Sequence, residues 1–155
     1  MTLADLPFGF LLGDAHRLFR RRFERAAEEA GLGLTAGEAR TLAFVAAYDG
    51  LRQTALAEVM NVDPMTLVGH LDALEAKGLV AREPDPTDRR AKLVRRTAAA
   101  AETVAAIQAV GSGIRAVATR GLDDAEVEAV RTILLRVVAN LSEAAAAERA
   151  DGQRA

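Results

Sequence analysis

Between Thr54 and Arg96 the apolar residues change from helical to alternating spacing, and that change limits the possible folds more than any other feature. Thr54-Ala55-Leu56-Ala57-Glu58-Val59-Met60 reads as a short helix with Leu56, Val59 and Met60 on one side. Asn61-Val62-Asp63-Pro64 breaks it and starts another. Asp63 is the expected N-cap, and Pro64 takes the first helical position, where a missing N–H costs nothing. This second helix runs from Pro64 to about Lys77, carries Leu67, Leu71 and Leu74 on one stripe, and stops at Gly78. The period then falls to two. Leu79-Val80-Ala81-Arg82 and Ala91-Lys92-Leu93-Val94-Arg95-Arg96 alternate on either side of the turn Pro84-Asp85-Pro86-Thr87-Asp88, as the strands of a β-hairpin do.

Helical patterns flank this centre. Leu11, Leu12, Ala15, Leu18, Phe19, Phe23 and Ala26 recur at three- and four-residue steps, predicting a helix from Phe8 to about Ala30 that ends at Gly31 and Gly33. Thr35 and Glu38 form a capping box for a helix reaching about Tyr48, before a turn at Asp49-Gly50. After Thr97 the chain returns to helix, with an interruption or kink expected at Gly111-Ser112-Gly113. A last helix starts at Asp123 as N-cap and presents Val127, Val130, Ile133, Leu134, Val137, Val138 and Leu141 up to about Ala147. That face is too broad for a surface helix, so it is buried within the chain or, as the two long terminal helices favour, in a two-fold dimer. The predicted fold is mainly α with a small β-hairpin wing: a winged helix-turn-helix with N- and C-terminal dimerisation helices. The expected divisions are an N-terminal helix over 1–34, the winged domain over 35–97, C-terminal helices over 98–148 and a frayed tail over 149–155.

Such a unit has a natural ligand. The major groove of double-stranded DNA admits one α-helix, which must bury one stripe and offer the other face to base edges. With the leucines inward, the outward set is Met65, Thr66, Gly69, His70 and Ala73, behind Pro64. The first turn is expected to offer free backbone N–H groups to phosphates. Net charge gives no such hint, since 20 Lys+Arg oppose 22 Asp+Glu. Its distribution does: Arg82, Arg89, Arg90, Lys92, Arg95 and Arg96 outnumber Glu83, Asp85 and Asp88 within the hairpin. An arginine at the tip can enter the narrow minor groove, and Asp88 can hold one guanidinium in place while its neighbour faces DNA. Alternatively, the hairpin is a solvated turn with local salt bridges. Thr66 could simply cap its helix, and His70 could be partly packed.

Thr54-Ala55-Leu56-Ala57-Glu58, then Leu67-Val68 and the run from His70 to Val80, then the run from Asp85 to Val94, together resemble the MarR family of bacterial transcription regulators. Three motifs in order at family spacing are a strong signal. The resemblance implies a homodimer built from terminal helices and a pseudo-palindromic operator, usually bound as a repressor and released by a small aromatic or phenolic ligand. It also implies that Thr66 and its neighbours start the recognition helix and that Arg90 is the minor-groove arginine. Two features depart from the family pattern: Gly69 stands where relatives often carry Arg, and Arg96 stands where Leu is usual before Thr97. The Glu and Gly that commonly follow are absent from the run Ala98 to Ala101. The competing class is a winged-helix protein-interaction module with weak or no specific DNA binding.

All six aromatic residues lie between Phe8 and Tyr48. They serve either as core and dimer packing or as a ligand pocket, with His16, Phe19, Arg20, Phe44 and Tyr48 as its candidate residues. Arg20-Arg21-Arg22 is an exposed helix face or an anion contact. An enzyme is not expected: the sequence has no cysteine, no Gly-rich phosphate loop and no Ser/His/Asp set. No cofactor is called for, and His16 and His70, far apart in sequence, give no reason to expect a metal site. With half its residues apolar and 27% charged the chain is globular, and no targeting or membrane-spanning segment is expected, which makes it cytoplasmic.

Overall fold

The computed structural model describes residues 5–152. Its helices are α1 (Phe8–Glu29), α2 (Ala36–Ala47), α3 (Gln53–Met60), α4 (Pro64–Ala76), α5 (Ala101–Ala118) and α6 (Asp124–Gly152). Three short strands, β1 (Leu51–Arg52), β2 (Val80–Pro84) and β3 (Lys92–Arg96), form an antiparallel sheet in the order β1-β3-β2. Two compact units result, one up to Arg115 and one from Ala116 onward. No helix among the described residues is long and apolar enough to cross a membrane.

The first unit is built around α4. Leu67, Leu71 and Leu74 are fully buried and meet Leu42 and Val45 of α2, Leu56 and Met60 of α3, and Val80 and Val94 of the sheet in one core. The local signals explain why the elements fall where they do. Thr35 Oγ1 accepts the Glu38 N–H at 3.2 Å, and the Glu38 carboxylate accepts the Thr35 N–H at 3.0 Å, closing the expected capping box. Asn61 ends α3 in the left-handed region at φ 49°, and Asp63 caps α4 with Pro64 at its first position. Gly78, at φ +70°, lets the chain leave α4 directly into β2. Asp123 and Glu126 cap the start of α6 reciprocally, at 2.8 and 2.9 Å.

Three details differ from the pattern read off the sequence. The first is β1, two residues long and too short to show alternation; it exists because Gly50, at φ +80°, donates its N–H to the Val94 carbonyl at 2.9 Å and carries Leu51 and Arg52 alongside β3. The second is Gly111-Ser112-Gly113, where α5 continues without the interruption that is one of the two expectations there. Two helical glycines cost about 1 kcal/mol each relative to Ala, which the burial of Val104, Ile107 and Ile114 along the same helix offsets. Third, α6 continues past residue 148 to Gly152, so part of the expected frayed tail is helical. Residues 153–155 and the N-terminal Met1-Thr2-Leu3-Ala4 lie outside the described residues.

The sheet is pinned to the hairpin turn by one buried carboxylate. Asp85, 5% exposed, takes the Thr87 hydroxyl and backbone N–H at 2.7 Å each and the Arg52 Nε of β1 at 2.6 Å. The Thr87 hydrogen bonds first, then the Arg52 charge, hold its carboxyl down at about 2. A carboxyl with a folded pKa below its unfolded value, near 3.9, stabilises the fold above that pH and ceases to do so as the pH falls through about 2. Asp85→Asn therefore destabilises the protein at neutral pH. Its deficit against the wild type, read by denaturant unfolding, shrinks between about pH 4 and pH 2.

Candidate nucleic-acid interface and an apolar cavity

The exposed face of α4 and the tip of the β2–β3 hairpin carry most of the residues expected to meet DNA. Pro64, Met65, Thr66 and Gly69 are exposed along the N-terminal half of α4, Met65 by 73%, while Ala73 is half-buried. At the tip, two successive β-turns close with Asp88 N–H to Asp85 carbonyl at 3.2 Å and Ala91 N–H to Asp88 carbonyl at 2.9 Å. Arg89 and Arg90 occupy the two central positions of the second turn, which throws both side chains outward. Among the described residues neither they nor Lys92 have an ion-pair partner.

Four expectations are corrected here. His70 does not face outward: it lies one position from the leucine stripe, so its ring packs on α2, Nδ1 lying 3.1 Å from Thr41 Oγ1. A Cβ at Gly37 would come within 2.5 Å of its Nε2, so only glycine leaves room for the ring. Since the Thr41 hydroxyl donates to the Gly37 carbonyl at 2.8 Å, it accepts from His70 Nδ1–H. Arg82 also turns inward, its guanidinium bridging Asp72 and Glu75 of α4 at 2.5 Å each, which raises its pKa and lowers that of Glu75. Among the described residues Asp88 holds no guanidinium; its carboxylate accepts the Arg90 backbone N–H at 3.0 Å and so shapes the turn. Nor is the first turn of α4 open to phosphate through free N–H groups, because the Asp63 carboxylate takes those of Met65 and Thr66 at 2.8 and 3.2 Å.

The pairing redistributes the hairpin's charge. Arg82 is consumed by α4, and Arg95 by Asp49 and Glu83 at 3.3 and 3.2 Å. Among the described residues Arg89, Arg90, Lys92 and Arg96 remain as cations without an ion-pair partner, grouped at the tip and along β3.

A cavity of about 340 Å³ lies on the far side of α2. Its walls are His16, Phe19, Arg20 and Phe23 of α1, Arg40, Ala43 and Phe44 of α2, and Gly111 and Ile114 of α5. Four of the five candidate pocket residues, His16, Phe19, Arg20 and Phe44, are thus brought together. Tyr48 is not: as the C-cap of α2, one turn beyond Phe44, it stacks on the outer side of that ring at 6.2 Å and is half-exposed. Sequence reasoning missed Arg40, although an Arg four residues before a Phe on one helix was a usable signal. Its guanidinium carbon sits 5.3 Å from the Phe44 ring centre, and burial lowers its pKa, helped by the charge of Arg20.

The MarR family profile matches residues 34–92. A Thauera aromatica protein described as a candidate transcriptional regulatory protein for the hcr operon is 34% identical over 113 residues, 68% of each chain. The chain belongs to the MarR family. As members are transcription regulators and not enzymes, this protein is a MarR-family transcriptional regulator. The crystal structure of MarR matches with a TM-score of 0.76 at 26% identity, covering 92% of this chain and 95% of that one. A MarR-family regulator of Listeria monocytogenes, solved with a 26mer DNA, matches with a TM-score of 0.75 at 21% identity, covering 89% and 91%. The latter likeness is one of fold.

The paired and unpaired arginines separate in a stability measurement. Arg82→Ala is expected to cost about 1 kcal/mol in denaturant unfolding, since it removes two partly exposed ion pairs to α4. Arg90→Ala, at a tip with no partner to lose, is expected to change stability by less than about 0.5 kcal/mol.

Proposed function

We propose that this regulator is a cytoplasmic homodimer that reads a pseudo-palindromic operator as a ligand-released repressor. The observation that carries the reading is the grouping of unpaired cations at the hairpin tip, beside a helix face of small and uncharged side chains. Arg89, Arg90 and Lys92 then reach the minor groove and its phosphates, while Pro64, Met65, Thr66 and Gly69 present α4 to major-groove base edges. With Gly69 in place of a long cation, α4 can approach the bases closely, and sequence discrimination falls to Met65 and Thr66. Within this reading residues 35–97 read DNA, while 1–34 and 98–148 dimerise.

Exposure of the terminal helices supports the dimer. No described side chain of α6 is buried, and Val130, Ile133, Leu134, Leu135, Val138 and Leu141 are each at least 42% exposed. Phe8 and Phe10 at the start of α1 are 62% and 68% exposed. A second copy covers such faces, and pairing supplies two readers for two half-sites about one DNA turn apart. The cavity, mostly apolar with Arg20 and Arg40 in its wall, suits a small aromatic or phenolic anion as effector.

The test is a fluorescence-anisotropy titration with the DNA upstream of the protein's own gene, run over a salt series and repeated with hydroxybenzoates. Affinity is expected to fall linearly on a log–log salt plot, with Arg90→Ala weakening binding and reducing the slope by about one. A flat salt response, with a stable protein partner in its place, would instead mark a docking module. In sedimentation equilibrium the wild type is expected to run as a dimer and Ile133→Glu to shift towards monomer, with loss of operator affinity.

A further inference from the structure

Arg40 belongs both to the cavity and to the helix-turn-helix. While its guanidinium lines the cavity over Phe44, its Nη2 donates to the Met60 carbonyl at 2.8 Å. Met60 is the last residue of α3, and its carbonyl is among those a helix end leaves without an intrahelical partner. The turn it closes, through left-handed Asn61, sets where α4 begins at Pro64. Arg20, in the same cavity, has a carboxylate of its own, with Nε 2.8 Å from Glu24. Among the described residues Arg40 makes its hydrogen bond and its ring contact to neutral groups, the carbonyl and the Phe44 ring, and feels the Glu24 carboxylate only at longer range.

We infer that Arg40 transmits occupancy of the cavity to the recognition helix: the carboxylate of a planar aromatic anion draws its guanidinium off the Met60 carbonyl and loosens the turn that seats α4. The inference rests on the reading of the cavity as an effector site. A carboxylate, charged and able to accept two parallel N–H bonds from a guanidinium, is a stronger partner for it than a neutral carbonyl, and the aromatic body of the anion fills the space beside Phe44. The abandoned carbonyl then lacks a partner, so the ligand-bound state favours a relaxed α3–α4 turn. Only this differential affinity for the two arrangements shifts the equilibrium. The switch lies within one subunit and needs no movement of the wing.

The probe is 2-naphthoate, a planar fluorescent anion, added to full-length wild type, Arg40→Met and Arg40→Lys with self-promoter DNA. In the wild type, bound probe is expected to lower DNA affinity roughly tenfold and to quicken hydrogen exchange at the Asn61 and Val62 amides. Arg40→Met is expected to show the lowered affinity and the quick exchange without probe, and no further change with it. Arg40→Lys, whose ammonium can reach the same carbonyl, is expected to keep most of the affinity. A folded Arg40→Met that retains wild-type DNA affinity, or retains release by the probe, overturns the inference and leaves the effector reading standing. Failure of 2-naphthoate to bind the wild type, read by its fluorescence, overturns both. Should Arg40→Met not fold, the wild-type exchange decides: unchanged Asn61 and Val62 amides in the probe complex overturn the inference.

Discussion

A helix that enters a groove can be buried along one stripe only, and the rotation of that stripe decides which side chains remain to be read. In α4 the stripe is Leu67, Leu71 and Leu74, none of them accessible to solvent. Polar contacts then fix the helix at three points around this axis. Lys77, its C-cap, donates to Glu38 of α2 at 2.6 Å; His70 packs on Gly37 and Thr41; and Arg82 holds Asp72 and Glu75 from the wing side. Burial alone would raise the Glu38 carboxyl, but Lys77 and the Thr35 N–H together bring it below its ordinary value, so the tie is charged at neutral pH.

The ion pairs matter for position more than for stability. Exposed pairs contribute about 0–1 kcal/mol each, little beside the burial of three leucines. What they do is sort the arginines. Those facing acidic partners on α4, β2 or the loop before β1 become braces, and those at the hairpin tip stay unpaired. A near-neutral chain thereby carries a local positive field with an acidic and neutral surround, which favours a single orientation on a polyanion over indiscriminate coating.

Much of this was legible in the sequence because it is written in local chemistry. The capping box at Thr35 and Glu38, Asp63-Pro64 at the head of α4, Gly78 at its end and the alternation of β2 and β3 each depend on neighbours within a few residues. The less legible features depend on distant ones. β1 is a strand only because Val94, more than forty residues on, accepts the Gly50 N–H. A helical wheel leaves His70 at the boundary of the buried stripe, and only the gap opposite Gly37 settles its direction. Arg82 and Arg89 look alike as members of a basic run; one is ion-paired with two carboxylates across the fold, and the other has no ion-pair partner among the described residues. Arg40 went unnoticed because its carbonyl partner lies twenty residues away.

Pro84 has a consequence for the company this protein keeps with itself. It ends β2, which is an outer strand of the sheet, paired to β3 on one side alone. With no amide hydrogen there, the free margin of the wing lacks a donor that an incoming extended chain would need, and the charged residues around it discourage the approach further. A crowded population of these molecules, each offering a hairpin to its surroundings, is thereby protected against polymerising wing to wing.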